Sequence, residues 1–220
     1  MIAIALGAKL LLAYLLGSLS GSLILGRLRG VDIRTRGSGN AGGTNALRTL
    51  GLAFALGTVL IDVGKGALAA AVGLWLPAIG GISPLAQALA CGVACAIGHV
   101  WPVFFGFRGG KGAAVVVGSM AVCLPAILLP VLGVWVLCLL GTGYVGLATV
   151  LAGLSLVPAS WWLGEASVRP LLLGFSIVFA LLLLITHRGN VVRLLDGTEH
   201  RFERVRVLGR LFDRASRRGA

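Results

Sequence analysis

Three short stretches hold nearly all the chemistry this chain could perform. They are "GSGNAGGTNALRTLG" (37–51), "GHVWPVFFGFRGGKGAA" (98–114) and "HRGNVVRLLDGTE" (187–199), and each lies at the end of a long apolar run. In the first, glycines let the backbone curl until successive N–H groups converge, which is the geometry of an anion site. Thr44 and Asn45 are suited to cap the helix that follows, whose positive end favours a negative group. Arg48 falls in the predicted first turn, where a cation opposes the helix dipole; an anion between the two reconciles them. A flexible linker carrying a topology-setting arginine is the plainer reading, but it does not account for so many side-chain donors.

In the second stretch Gly109, Gly110 and Gly112 surround Lys111 just before an apolar segment. The P-loop pattern fails here: Phe105 stands at its first glycine, Gly112 replaces its Ser/Thr, and no strand precedes it. What remains is a glycine nest with a lysine charge, a phosphate site in preference to a bare loop. His99 reads equally as a packed, singly bonded histidine or as a functional one. In the third stretch His187 and Asn190 share a helix face, with Arg193 and Glu199 following. Carboxylates are scarce near all three, so a metal-dependent phosphotransferase is not indicated and no metal or cofactor is expected. None of His99, His187 or His200 opens an H-x-x-x-x-D pattern, which leaves acyl-CoA-type chemistry unsupported. Cations, backbone N–H groups and one histidine suit an acyl donor already activated by an anionic leaving group, and an acyl phosphate is such a donor.

The elements that must position these joints are membrane helices. The chain has 220 residues, 58% of them hydrophobic, and a mean hydropathy of +1.00. A soluble domain of this size could not hide so much apolar surface. Its 19 basic and 7 acidic residues leave a charge of +12. The arginines cluster between and after apolar segments, so membrane topology and anionic lipid explain the excess, and no nucleic-acid partner is expected. "MIAIALGAKLLLAYLLGSLSGSLILGR" lacks a basic leader and a small-residue cleavage site, and reads as a retained first span over 2–26. A second span is expected to start after Asn45 and end near Leu76, a third to run over 84–105, and others over 146–163 and 170–186. Residues 113–140 form either one long helix or two short ones around Pro125 and Pro130. Two short helices, or a re-entrant pair, keep the arginine-rich C-terminus on the same side as the joints, as the positive-inside rule asks. The expected fold is therefore all-α and polytopic, with about seven transmembrane helices, the N-terminus outside and the C-terminus cytoplasmic. On that topology the three joints share the cytoplasmic face.

Residues 1–199 form the transmembrane domain in this reading, and 200–220 a basic amphipathic tail with Phe202, Val205, Leu208, Leu211, Phe212 and Ala215 along one helix side, resting on anionic lipid. Asp62 and Lys65, three positions apart on one helix face, read as a mutually neutralising pair inside span two. Cys91, Cys95, Cys123 and Cys138 read as buried thiols.

The joint motifs, with "DVGKG" (62–66), resemble in order and spacing the PlsY family of bacterial acyl-phosphate:glycerol-3-phosphate acyltransferases, over most of the chain. The resemblance implies a seven-helix enzyme of the bacterial inner membrane, active on the cytoplasmic side. It would acylate the 1-position of glycerol 3-phosphate, releasing lysophosphatidate and phosphate, without cofactor, metal or obligate protein partner. By motif position, Ser38, Arg48, Lys111, His187 and Asn190 would hold glycerol 3-phosphate and the reacting centre. Gly39, Asn40, Thr44, Asn45, Gly109, Gly110 and Gly112 would bind the acyl-phosphate head. Gly43 and Val115 depart from the alanine and threonine usual in the family. The alternative is a transporter of an anionic phosphorylated metabolite, which would need charges on a route to the far side; only Lys9, Asp62, Lys65, Glu165 and Arg169 lie away from the joints.

Overall fold

Lipid requires every backbone N–H and C=O to be satisfied within the protein, and a helix does this segment by segment. The computed structural model describes residues 2–77 and 79–211, and all the regular structure in them is helical. The chain divides into two compact units, the first ending at Pro125 and the second starting at Ala126.

The first unit comprises α1 (Ile2–Gly17), α2 (Gly21–Leu28), a 3-10 turn (Ile33–Thr35), α3 (Gly43–Leu50), α4 (Leu52–Trp75), α5 (Pro84–Val100), a second 3-10 turn (Val103–Phe105) and α6 (Ala113–Cys123). Its centre is α4, against which α1, α5 and α6 pack. Small residues allow this closeness, as they do between helices in lipid generally. A Cβ on Gly118 would strike the Val63 carbonyl, and one on Gly66 the Val115 carbonyl, so α4 and α6 meet backbone to backbone. Gly17 and Gly98 do the same for α1 and α5. Buried Lys9 reaches across the far ends, donating to the carbonyls of Leu76 and Pro77 at 3.2 and 3.0 Å and to Gln87 Oε1 at 2.6 Å.

The second unit holds α7 (Pro125–Thr142), α8 (Val145–Leu163), α9 (Arg169–Thr186) and α10 (Arg188–Leu195). Trp135 Nε1 donates to Thr149 Oγ1 between α7 and α8, and the Ser160 and Ser176 hydroxyls bond at 2.6 Å between α8 and α9. Such buried hydroxyl pairs are favourable where no water competes. Large apolar side chains point outward from both units, Leu60, Trp75, Leu129 and Trp162 each being more than 70% exposed, as lipid-facing surfaces should.

Among the described residues, five helices are long and apolar enough to cross a membrane, and α1 with α2 makes a sixth such segment bent by 46°. The integral-membrane, all-α fold expected from the sequence is thus the fold observed. Details differ. The first span is not continuous over 2–26: it breaks after Gly17 and restarts at Gly21, because Lys65 and Asp62 supply partners to the backbone groups that the break exposes. The second span does not start directly after Asn45. A separate short helix, α3, ends at Gly51, whose φ of +85° turns the chain into α4. Residues 113–140 do form two helices, parted at Leu124 before Pro125, while Pro130 sits inside α7. With 11 residues, α6 is only ~17 Å long, short of a ~30 Å hydrocarbon core. The tail departs from a single amphipathic helix as well. Residues 200–206 are not helical, and Phe202 N–H and Arg201 Nε donate instead to the carbonyls of Gly143 and Thr142, each at 2.9 Å. Phe212 and Ala215 lie outside the described residues.

Candidate active site

The first glycine joint is built around one side chain. Asn45 is 1% exposed, and its amide group organises the loop before it. Its Nδ2 lies 3.3, 3.0 and 3.0 Å from the carbonyls of Ile33, Arg36 and Asn40, while its Oδ1 accepts the Ser38 N–H at 2.9 Å. The loop can wrap this closely because Gly37 has a φ of +56° and a Cβ there would collide with Asn45 Oδ1. Neither Thr44 nor Asn45 caps the helix; the N-cap of α3 is Gly42, without a side-chain bond. Asn45 is therefore a scaffold for the loop rather than a ligand for phosphate, since both ends of its amide are occupied. Gly39 N–H is engaged too, by the Arg36 carbonyl. Arg48 lies in the last turn of α3, not the first, where a cation agrees with the helix dipole, and it is exposed. The Ser38 hydroxyl is exposed; Thr44 and Asn40 are half-buried, and their side chains carry no hydrogen bond among the described residues.

The second joint folds back onto the end of α5. Gly109 N–H and Gly110 N–H donate to the Val100 and His99 carbonyls, each at 3.1 Å. Those two amides thus close the C-terminus of α5 and are not part of an anion nest. Gly112, with a φ of +86°, opens α6 as its N-cap, and half-buried Lys111 stands directly before it.

Arg34 joins the two loops. Its guanidinium forks onto Asp32, with Nη2 2.8 Å from Oδ2, and its Nη1 donates to the carbonyls of Phe105 and Arg108 at 2.8 and 3.1 Å. Hydrogen bonding from Arg34 holds the Asp32 carboxyl below its usual range. Beneath lie Leu23, Ile33, Ala41, Ala46, Phe54, Ala55 and Phe105 as one apolar cluster. Gly110 packs against both the Ala41 carbonyl and the His99 ring, so residues of both joints meet at one seam. The structure thus places Ser38, Asn40, Thr44 and Arg48 on a loop and helix braced against the turn that carries Lys111.

In the second unit α9 stops at His187 and α10 begins from it, which puts His187 and Asn190 in one bend. His187 Nδ1 lies 2.8 Å from the Leu183 carbonyl. A carbonyl can only accept, so the proton of a neutral ring is on Nδ1 and the lone pair is on Nε2. Asn190 Nδ2 donates to Glu199 Oε1 at 2.7 Å, and Arg193 Nε bonds to the other oxygen of Glu199 at 2.8 Å. Glu199 thus orients the Asn190 amide, a link that the sequence reading did not make. Arg34 was missed for a similar reason, having been counted only as a topology arginine, and its partners are 71 and 74 residues away. Among the described residues no group of three His, Cys, Asp or Glu side chains is placed to share a metal ion.

Residues 8–197 match the family model described as glycerol-3-phosphate acyltransferase. The chain belongs to that family. A glycerol-3-phosphate acyltransferase of Chlorobaculum parvum is 39% identical over 88% of this chain and 95% of its own length. One from Shewanella woodyi is 38% identical over 92% of this chain and 95% of its own. The crystal structure of PlsY, an integral membrane glycerol 3-phosphate acyltransferase, in its glycerol 3-phosphate form superposes with a TM-score of 0.81 at 35% identity. It covers 93% of this chain and 98% of that one. The lysophosphatidic acid form of PlsY matches with a TM-score of 0.80 at 34% identity and the same coverage. An acyltransferase of this family therefore has the apolar helices, the glycine joints and the bend at His187 described above.

Proposed function

We propose that this chain transfers a fatty acyl group from an acyl phosphate to the 1-position hydroxyl of sn-glycerol 3-phosphate, giving lysophosphatidate and inorganic phosphate. The observation that carries the reading is family membership over residues 8–197, with related structures holding glycerol 3-phosphate and lysophosphatidic acid. The glycerol oxygen attacks the acyl carbonyl, a C–O bond forms, and the acyl–phosphate C–O bond breaks as phosphate departs. The hydroxyl proton passes to a base, and phosphate is a good enough leaving group that no covalent enzyme intermediate is needed.

Ser38, Arg48 and Lys111 hold the phosphorylated substrates in this proposal, and Lys111 steadies the charge that grows on the carbonyl oxygen and the departing phosphate. Asn40, Thr44 and the N–H groups at Gly112 and the start of α6 contact the acyl-phosphate head. Asn45, Gly39, Gly109 and Gly110 shape that surface and do not bind it directly, because their polar groups are taken by the fold. His187 and Asn190 serve the reacting hydroxyl; an imidazole protonated on Nδ1 offers its basic Nε2 for the proton. Seven membrane segments, with an outer N-terminus and a cytoplasmic C-terminus, would set this chemistry on the inner face of the bacterial inner membrane, beside anionic lipid.

A transporter would need charges available along a route. Lys9 is bound to Gln87 and two carbonyls, Asp62 is paired with Lys65, and Arg169 is bound to the Gly164 carbonyl. The discriminating experiment gives purified protein in detergent palmitoyl phosphate and glycerol 3-phosphate. Phosphate and 1-palmitoyl lysophosphatidate should appear in equal amounts without any sealed compartment. Absence of the acylated product with folded protein refutes the proposal.

A further inference from the structure

The segment that follows α10 is a part of the second unit that the proposed mechanism leaves unused, and it closes a circle around Asn190. Thr142 ends α7, so its carbonyl is one of those a helix leaves without an internal partner. Arg201 Nε donates to it, and the next residue, Phe202, donates its N–H to the Gly143 carbonyl, each at 2.9 Å. The Arg201 guanidinium also stands over the Tyr144 ring, 5.3 Å from its centre, and Tyr144 is the residue from which α8 starts. Gly143 turns the chain between the two helices with a φ of +79°, and a Cβ there would come 3.0 Å from Arg201 Cγ. Further along, a Cβ on Gly209 would strike the Gly141 carbonyl, so the segment lies flat on the turn. A cation at the end of α7 agrees with the helix dipole, and the aromatic ring adds a second attraction.

We propose that Arg201 is a positioning residue for acyl transfer: it clamps the α7–α8 turn to the segment after α10 and so keeps the start of α8 pressed on the Asn190 side chain. Gly146, in the first turn of α8, makes that contact; a Cβ there would come 2.7 Å from both Cβ and Nδ2 of Asn190. The same Nδ2 donates to Glu199 Oε1 at 2.7 Å, and the Glu199 N–H bonds to the Arg193 carbonyl at 3.0 Å. Asn190 is thus held by α8 and by Glu199, and Arg201, two residues beyond Glu199, ties those two supports together. The ion pair of Arg201 with Glu203, at 3.3 Å, is open to solvent at the carboxylate and adds little. An amide that serves the reacting hydroxyl must be held to a fraction of an ångström, because a small misplacement slows the reaction even where substrate still binds. Arginine suits the post better than lysine: its Nε meets the carbonyl while the planar guanidinium covers the ring.

The inference rests on the acyl-phosphate reading above, in which Asn190 serves the acceptor hydroxyl, and two readouts test it. Arg201→Ala should lower kcat roughly ten- to a hundredfold with KM for both substrates within about twofold of wild type. Arg201→Lys, which keeps a donor for the Thr142 carbonyl, should recover most of the loss. The chain has three asparagines, Asn40, Asn45 and Asn190, so labelling with 15N-asparagine resolves their side-chain amides from all others. Arg201→Ala should shift the Asn190 amide and leave those of Asn40 and Asn45, which lie in the first unit, where they were. Gly146→Ala should move the same amide and lower kcat with Arg201 intact. Unchanged kcat in Arg201→Ala, a loss seen only in KM, no recovery in Arg201→Lys, an Asn190 amide that stays put, or movement of all three amides each overturns the inference. Should Arg201→Ala fail to fold, Arg201→Gln is judged by the same two readouts. If wild-type protein forms no lysophosphatidate, the proposed reaction has failed, and the amide signals still decide whether Arg201 holds Asn190.

Discussion

At the scale of single residues, the polar side chains of this chain divide into those that build the loops and those left to meet a ligand. Asn45 is the clearest builder, with four hydrogen-bond contacts from one buried amide. Asn45→Ala should lower the melting temperature, expose residues 33–40 to protease and abolish turnover. Each buried group it orphans costs about 1–3 kcal/mol. Arg48 is exposed in the last turn of α3. Arg48→Ala is expected to reduce kcat/KM for glycerol 3-phosphate roughly 10- to 150-fold, the value of one charge-assisted contact. Steady-state kinetics with each substrate varied in turn would check it. Asp32 gives a pH dependence of known sign. Its carboxyl, held by Arg34, stays ionised below the 3.8 of a free aspartate, so the pair's contribution is full above that value and vanishes as pH falls through the lower, folded one. The pair is partly exposed, so the contribution is under about 1 kcal/mol. Asp32→Asn should flatten the acid side of the melting-temperature profile and change little at neutral pH.

At the scale of elements, breaks in helices carry the design. α1 and α2 part where Lys65 and Asp62 supply the missing backbone partners, and α9 gives way to α10 at His187. A break in lipid survives only where something re-satisfies the backbone. That is why the sequence pattern, which registers apolarity but not partners, ran α1 and α2 together. The pattern did find both ends of α8 and α9 to within a residue, because long apolar runs have sharp polar ends. Close packing is the other property of these elements. Gly118→Ala pushes a methyl group into the Val63 carbonyl of α4, and overpacking of that kind costs about 1–3 kcal/mol. Thermal unfolding in detergent should show the loss, whereas Gly133→Ala, where nothing lies within 4 Å, should show none.

At the scale of the whole molecule, the testable matter is orientation. With native cysteines replaced, cysteine introduced at Ser38 or Thr198 should react with an impermeant maleimide only after inner-membrane vesicles are turned inside out. Labelling of either position from the periplasm would reverse the proposed topology. Membrane residence, the helical class and the three joints were determined by the sequence alone. Lipid acts as a solvent so unlike water that hydropathy reports it directly, and glycine with arginine or lysine between apolar runs has few other uses. The roles within the joints were decided only by the tertiary structure. Asn45 turned from ligand to scaffold, Gly109 and Gly110 turned from anion nest to helix closure, and His99 acquired Lys65 as a partner 34 residues away. A hydrogen bond has no periodicity along the chain, so its partner becomes known only when the backbone has brought the two ends together.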